Sequence, residues 1–206
     1  MLDYVSGAVR VSLTTFILCG FAYPFAVTGL AQLIMPFQAN GSVVRDASGA
    51  ILGSELIGQQ WDDPQWFHGR PSATVARDPK DPSKAMVLPY NAANTTASNL
   101  GPTSKALQDR LIAGRKTLDH AQPELAGKLL PSDMLTASAS GLDPDITPAN
   151  ALLQAARVAK ARGVLAEQIT ALVKRNVTPR SLLIFGEPRV NVLELNLALE
   201  REFPRR

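Results

Sequence analysis

The apolar and polar positions of this chain fall into two regimes that meet near residue 44. Between Arg10 and Arg45 no Asp, Glu, Lys or Arg interrupts an uncharged run of 34 residues. Its centre, VSLTTFILCGFAYPFAVTGLAQLIM over 11–35, is mostly apolar. At ~1.5 Å per residue a helix of that length exceeds the ~30 Å hydrocarbon core of a bilayer, so the run predicts a transmembrane helix over 11–35. Charges are excluded from such a run because one at mid-bilayer costs at least ~2.5 kcal/mol. A cleaved signal peptide fits less well. Its apolar core spans only about 7–15 residues behind a basic start, whereas MLDYVSGAVR holds one Asp and one Arg. Gly29-Leu30-Ala31 is a poor imitation of a small-residue cleavage site.

Beyond the run, residues 39–60 read as strand, turn, strand. Asn40-Gly41 is a tight-turn dipeptide, and Asp46-Ala47-Ser48-Gly49 separates Ser42-Val43-Val44 from Ile51-Leu52 as a hairpin turn would. From Asp62 to Pro102 the pattern is irregular, with Pro64, Pro71, Pro79, Pro82, Pro89 and Pro102. Such composition suits a linker, but Trp61, Trp66, Phe67 and Tyr90 would be costly to leave in water. A folded excursion wrapped on the core is expected instead.

The second half is more periodic. Leu107, Leu111 and Leu118 mark one face of a helix from Ser104, and Asp133 to Ala139 reads as a short strand running into the turn Ser140–Pro144. Thr147-Pro148 supplies an N-cap followed by Pro at N1, starting a helix that runs to Gly163. Leu165, Ile169, Leu172 and Val173 line the next helix, closed before Pro179. Val190, Val192, Leu195, Leu197 and Leu199 mostly alternate with polar residues and predict a strand. The order of elements predicts an α+β domain.

Charge sharpens the division. Residues 45–206 carry 20 of the 21 basic and 17 of the 18 acidic side chains, spread without runs, which is a solvated surface and not a nucleic-acid stripe. Arg10 and the terminal amine place residues 1–10 in the cytoplasm by the positive-inside bias. The single cysteine, Cys19, lies inside the apolar run, so the remainder fits an oxidising compartment. Residues 36–206 are therefore expected to form one extracytoplasmic domain.

Catalytic signatures do not appear. There is no G-x-x-x-x-G-K-[ST] loop, no G-x-G-x-x-G turn and no G-x-S-x-G elbow. His68 and His120 share no metal-ligand spacing, and Asp143 with Asp145, two apart in a turn, read as backbone acceptors more readily than as an acid–base pair. The expectation is no catalytic residue and no metal. The apolar run carries a different signal: Ala22, Ala26 and Gly29, at i, i+4 and i+7, form a strip of small residues where another helix could approach closely.

Segment by segment, the chain resembles the small C subunits of the bacterial Kdp potassium-transporting P-type ATPases. The matching stretches are TGLAQ from Thr28, QANGS from Gln38, GSELIGQ from Gly53, FHGRPSA from Phe67, SNLGP from Ser98, TASASGLDP from Thr136, RVAKARG from Arg157 and VNVLELNLAL from Val190. They run in the family's order almost from end to end. Around residues 91–97 the sequence NAANTTA departs from the family's glycine-rich pattern.

The resemblance implies a single-pass protein of the bacterial inner membrane. Its partners would be a potassium-selective channel-like subunit, a P-type pump subunit that hydrolyses ATP, and a further small membrane subunit. The D-K-T-G phosphorylation motif of the pump subunit is missing here, so the implied role is accessory: stabilising the assembly and acting as a catalytic chaperone that raises the pump's affinity for ATP. The alternative is a purely structural or gating subunit at the ion entrance, without nucleotide contact. By the same resemblance, Ser138, Ser140 and Gly141 are nucleotide-contact candidates, with ATP shared with the pump subunit and no cofactor bound by this chain alone.

Overall fold

The computed structural model describes residues 2–81 and 83–205; Pro82, one of the prolines of the irregular segment, lies outside the described residues, as do Met1 and Arg206. The chain divides into two compact units, Met1–Leu52 and Gly53–Arg206. The architecture is α+β, as the order of elements predicts.

In the first unit, α1 (Leu2–Ile17) passes through a π turn (Leu18–Ala22) into α2 (Tyr23–Ile34). The π turn has a local cause. Pro24 has no N–H for the carbonyl one turn back, and Tyr23 N–H reaches back to Leu18 O, so the widened turn carries the helix past the proline. Asp3–Ile34 is long and apolar enough to cross a membrane, and none of its most apolar stretch is buried within the chain. A short helix, α3 (Pro36–Ala39), closes the unit's helical part. There the Asn40 side-chain amide donates to Pro36 O at 2.7 Å and to Gln32 Oε1 at 3.1 Å, and Gly41 turns the chain at φ 83°. The predicted hairpin is present, with β1 (Val43–Arg45) paired to β2 (Ile51–Ser54). Asp46 builds its turn by accepting from Ser48 N–H, the Ser48 hydroxyl and Ala50 N–H.

The second unit is organised by three helices. α5 (Pro148–Arg162) follows α4 (Lys105–Ala121) in the chain and packs against α6 (Ala166–Arg175), which meets α7 (Val192–Glu202). Val158, Ile169, Leu172, Leu195 and Leu199 fill the core between them. α5 begins and ends where its sequence signals fall: Thr147 Oγ1 accepts from Asn150 N–H at 3.1 Å, and Gly163 closes the helix at φ 67°. Small antiparallel ladders complete the fold, β3 (Val75–Arg77) with β4 (Ala85–Val87) and β5 (Asp145–Ile146) with β6 (Val190–Asn191).

Three expectations need correction. The strand over 190–199 is only Val190–Asn191; from Val192 the chain is α7. Val192, Leu195, Asn196 and Leu199 are buried at i, i+3, i+4 and i+7, the period of a helix, and Asn191 caps it by accepting from Glu194 N–H at 3.1 Å. The strand over 133–139 is a 3-10 turn, Ser132–Met134, followed by irregular chain. Asp133 is turned inward there to hold the start of α5, accepting from Thr147 N–H at 2.7 Å and from the Asn150 amide at 3.0 Å. Leu165 is exposed as the residue before α6 and does not share its buried face.

The irregular segment from Asp62 is folded onto the core, as its aromatics predict. Phe67 is fully buried, with Trp61 and Trp66 packed against the same cluster. Its backbone is held by side chains in place of a neighbouring strand. Asn196 both accepts from Phe67 N–H and donates to Phe67 O, and Gln154 does the same for His68. Arg157 donates to Pro64 O and Trp66 O, and Arg162 to Gln65 O. Five consecutive carbonyls, from Pro64 to His68, are thus satisfied by helix side chains.

Candidate functional site

Two of the sequence-selected serines line an open cavity of about 580 Å³, formed by Leu56, Ile57, Arg70, Ser138, Ala139, Ser140, Leu142, Asp143 and Pro144. The turn 138–144 makes one wall. It is folded by its own hydroxyls: Ser138 Oγ accepts from Gly141 N–H at 2.9 Å and Ser140 Oγ from Leu142 N–H at 3.1 Å. Gly141 lies beneath the surface at φ 71°. A Cβ there would stand 2.6 Å from Thr74 Cγ2 and 2.8 Å from Thr96 O, so only glycine fits. Around it, Ser72 donates to Gly141 O at 2.8 Å, and Thr95 and Thr96 both donate to Ser140 O.

Arg70 reaches this wall from the far side of the sequence. Its Nη1 meets Asp143 Oδ2 at 2.9 Å, its Nη2 lies 3.4 Å from Ala137 O, and its Nε is buried without a protein partner. Tyr90 donates its hydroxyl to Arg70 O at 2.7 Å. Burial pushes the Tyr90 phenol up to about 12, with the Asp143 charge adding to the shift and Arg70 opposing it, so it remains a donor. Asp143 also accepts from Asp145 N–H at 3.0 Å, while Asp145 pairs with Arg189 at 3.0 Å. Burial raises the Asp145 carboxyl, and the Arg189 charge opposes that rise. The two aspartates thus serve different partners.

A phosphate cradle needs backbone N–H groups turned outward. Here the N–H groups of Gly141 and Leu142 are taken by the serine hydroxyls, Ser138 is buried, and the Arg70 charge is matched by Asp143. The geometry does not fit an ATP phosphate. Arg70, Ser72, Thr74 and Tyr90 are the members of this site that periodicity could not find; the FHGRPSA stretch was the only signal for the first two.

The two histidines stand apart from it. His68 is half-buried, with Nε2 3.0 Å from Asp63 O, and His120 is exposed on α4. Ala22 ends the π turn, whereas Ala26 and Gly29 lie on α2, and all three are exposed. Nothing lies within 4 Å of the position a Gly29 side chain would take, so this face is uncovered within the chain. Among the described residues no group of three or more His, Cys, Asp or Glu is placed to hold a metal ion.

A family model described as "K+-transporting ATPase, c chain" matches residues 5–201. Curated relatives match over all or nearly all of their length. A protein of Rhodopseudomonas palustris called potassium-transporting ATPase KdpC subunit is 53% identical, with 100% of both chains covered. Proteins of the same name from Bradyrhizobium diazoefficiens and Methylobacterium nodulans are each 50% identical, covering 98% and 97% of this chain and 98% of their own.

Proposed function

The chain belongs to the KdpC family of K+-transporting ATPase subunits and is an accessory subunit of a potassium uptake complex, and on that premise we propose that it braces the assembly. In this reading residues 11–35, the apolar centre of the uncharged run, cross the inner membrane once, with residues 1–10 on the cytoplasmic side. Their Ala22, Ala26 and Gly29 face packs against a helix of the channel-like, pump or further small subunit, and the remainder forms an extracytoplasmic domain without catalysis of its own. One observation carries the reading: the apolar stretch of Asp3–Ile34 has no cover from its own chain. A surface of that length is covered by lipid or by neighbouring helices, and the small side chains at Ala22, Ala26 and Gly29 favour a helix on that face.

Cysteines introduced at Ser48 and Lys116 test the orientation. Labelling of both by an impermeant maleimide in intact cells, with the outer membrane opened, is the expected result. Labelling only after the inner membrane is breached would overturn it.

The second reading, a chaperone that raises the pump's affinity for ATP, rests on the family resemblance and on Ser138 and Ser140 beside Arg70 at one cavity. The use of both serine hydroxyls as acceptors for N–H groups of their own turn favours the brace. In the purified assembly, Ser140→Ala should leave the KM for ATP unchanged; a severalfold rise would favour the chaperone.

A further inference from the structure

Between α6 and β6 the loop tip presents Leu182, Leu183, Ile184 and Phe185 in succession, with 82, 85, 69 and 61% of their surfaces exposed. Single apolar side chains on a surface are ordinary, but consecutive large ones make a patch that soluble surfaces rarely leave bare. The tip is internally braced. Ser181 and Phe185 exchange backbone hydrogen bonds, both at 2.9 Å, and Leu183 and Ile184 donate to Arg180 O and Ser181 O. At its base Arg180 Nη2 meets the two Glu187 carboxylate oxygens at 2.7 and 2.6 Å, and Thr178 bridges to Arg189. Leu182 and Leu183 are both left-handed, at φ 51° and 67°. Glycine or asparagine would adopt that backbone with less strain. A turn serving only to reverse the chain would gain from those residues, whereas leucines there hold apolar surface in a fixed shape.

Charge selects the occupant. The arginines around the tip are matched within the chain: Arg180 by Glu187, Arg189 by Asp145 and Arg175 by Glu202. A loop that enters a phospholipid surface draws on unpaired basic side chains beside its apolar residues. This balanced base suits a neutral, desolvated recess in a protein. Building on the reading of the chain as a subunit of a K+-transporting ATPase, we propose that Leu182–Phe185 is a docking knob for a nonpolar pocket on another protein subunit of that assembly.

A photocrosslinking benzoylphenylalanine at Leu183 of the full-length chain, co-expressed with tagged partner subunits in native membranes, tests this; the same probe at Lys116 is the comparator. The expected result is an adduct with one partner subunit, at least roughly fivefold stronger from position 183 than from 116, as contact within a central apolar anchor requires. Co-purification without an adduct from 183, adducts with lipid alone, or equal adducts from both positions would overturn the docking proposal and leave the subunit reading standing. Absence of co-purification would overturn both.

Discussion

The side-chain amide of Asn196 and the main chain of Phe67 exchange two hydrogen bonds, accepting at 2.9 Å and donating at 3.0 Å, with both residues fully buried. An amide inside an apolar helix face thereby takes the place of a strand partner for the stretch between Pro64 and Pro71. Asn196→Leu conserves volume but strands both backbone groups. It should lower the unfolding free energy by about 2–4 kcal/mol. Urea denaturation of the full-length chain in detergent, followed by tryptophan fluorescence, reads this directly; a change within about 0.5 kcal/mol would contradict the bracing role.

Gly141 should be intolerant of any side chain. Its left-handed φ and the nearness of Thr74 and Thr96 act together, so Gly141→Ala should cost about 2–3 kcal/mol. Gly101→Ala, where nothing lies within 4 Å, is the comparison and should change stability by less than about 0.5 kcal/mol. Equal effects at the two positions would show that the turn 138–144 is not held as described.

Leu183→Asn should have the opposite sign. The side chain is exposed, so little burial is lost, and asparagine tolerates the left-handed backbone. A gain of about 0.5–1 kcal/mol is expected in thermal unfolding of the isolated chain. Stability gained at a position where natural leucine is strained would accord with a residue retained for docking.

Acid should weaken the fold through His68. Burial first, and the Arg157 charge second, hold its imidazole below the ordinary value of 6.5. The unfolded chain then binds its proton at higher pH than the folded chain does. The stability tied to neutral His68 is fully present above 6.5 and is lost as pH falls through the folded value. Between about pH 7 and pH 5 the native chain should lose more unfolding temperature than His68→Gln does. Parallel profiles would show that His68 does not titrate with unfolding.

Features with local causes were legible in the sequence. Asp46 to Gly49 announces its hairpin, and Thr147-Pro148 with Gly163 brackets α5, because caps and turns are written in adjacent residues. The expectation of a strand at α7 arises because Val190 and Val192, and then Leu195, Leu197 and Leu199, imitate alternation. The residue that reveals its helical period is Asn196, a polar side chain in a buried position. The same blind spot hid how the segment after Asp62 is held, since Asn196, Gln154 and Arg157 look like surface residues until the helices turn them inward. At the site, the turn 138–144 was readable from Ser140-Gly141 and Asp143-Pro144. The arrival of Arg70, 73 residues away from its partner Asp143, was not, because no local pattern encodes that separation.

In the proposed role the apolar helix is a contact surface as well as a tether. The most direct test is recovery of this chain from bacterial membranes through a tag on the pump subunit, comparing the native chain with the Ala26→Leu/Gly29→Leu variant at equal membrane abundance. Recovery of the variant should fall by roughly tenfold, the equivalent of about 1.4 kcal/mol of helix packing. Recovery of the variant at the native level would contradict it.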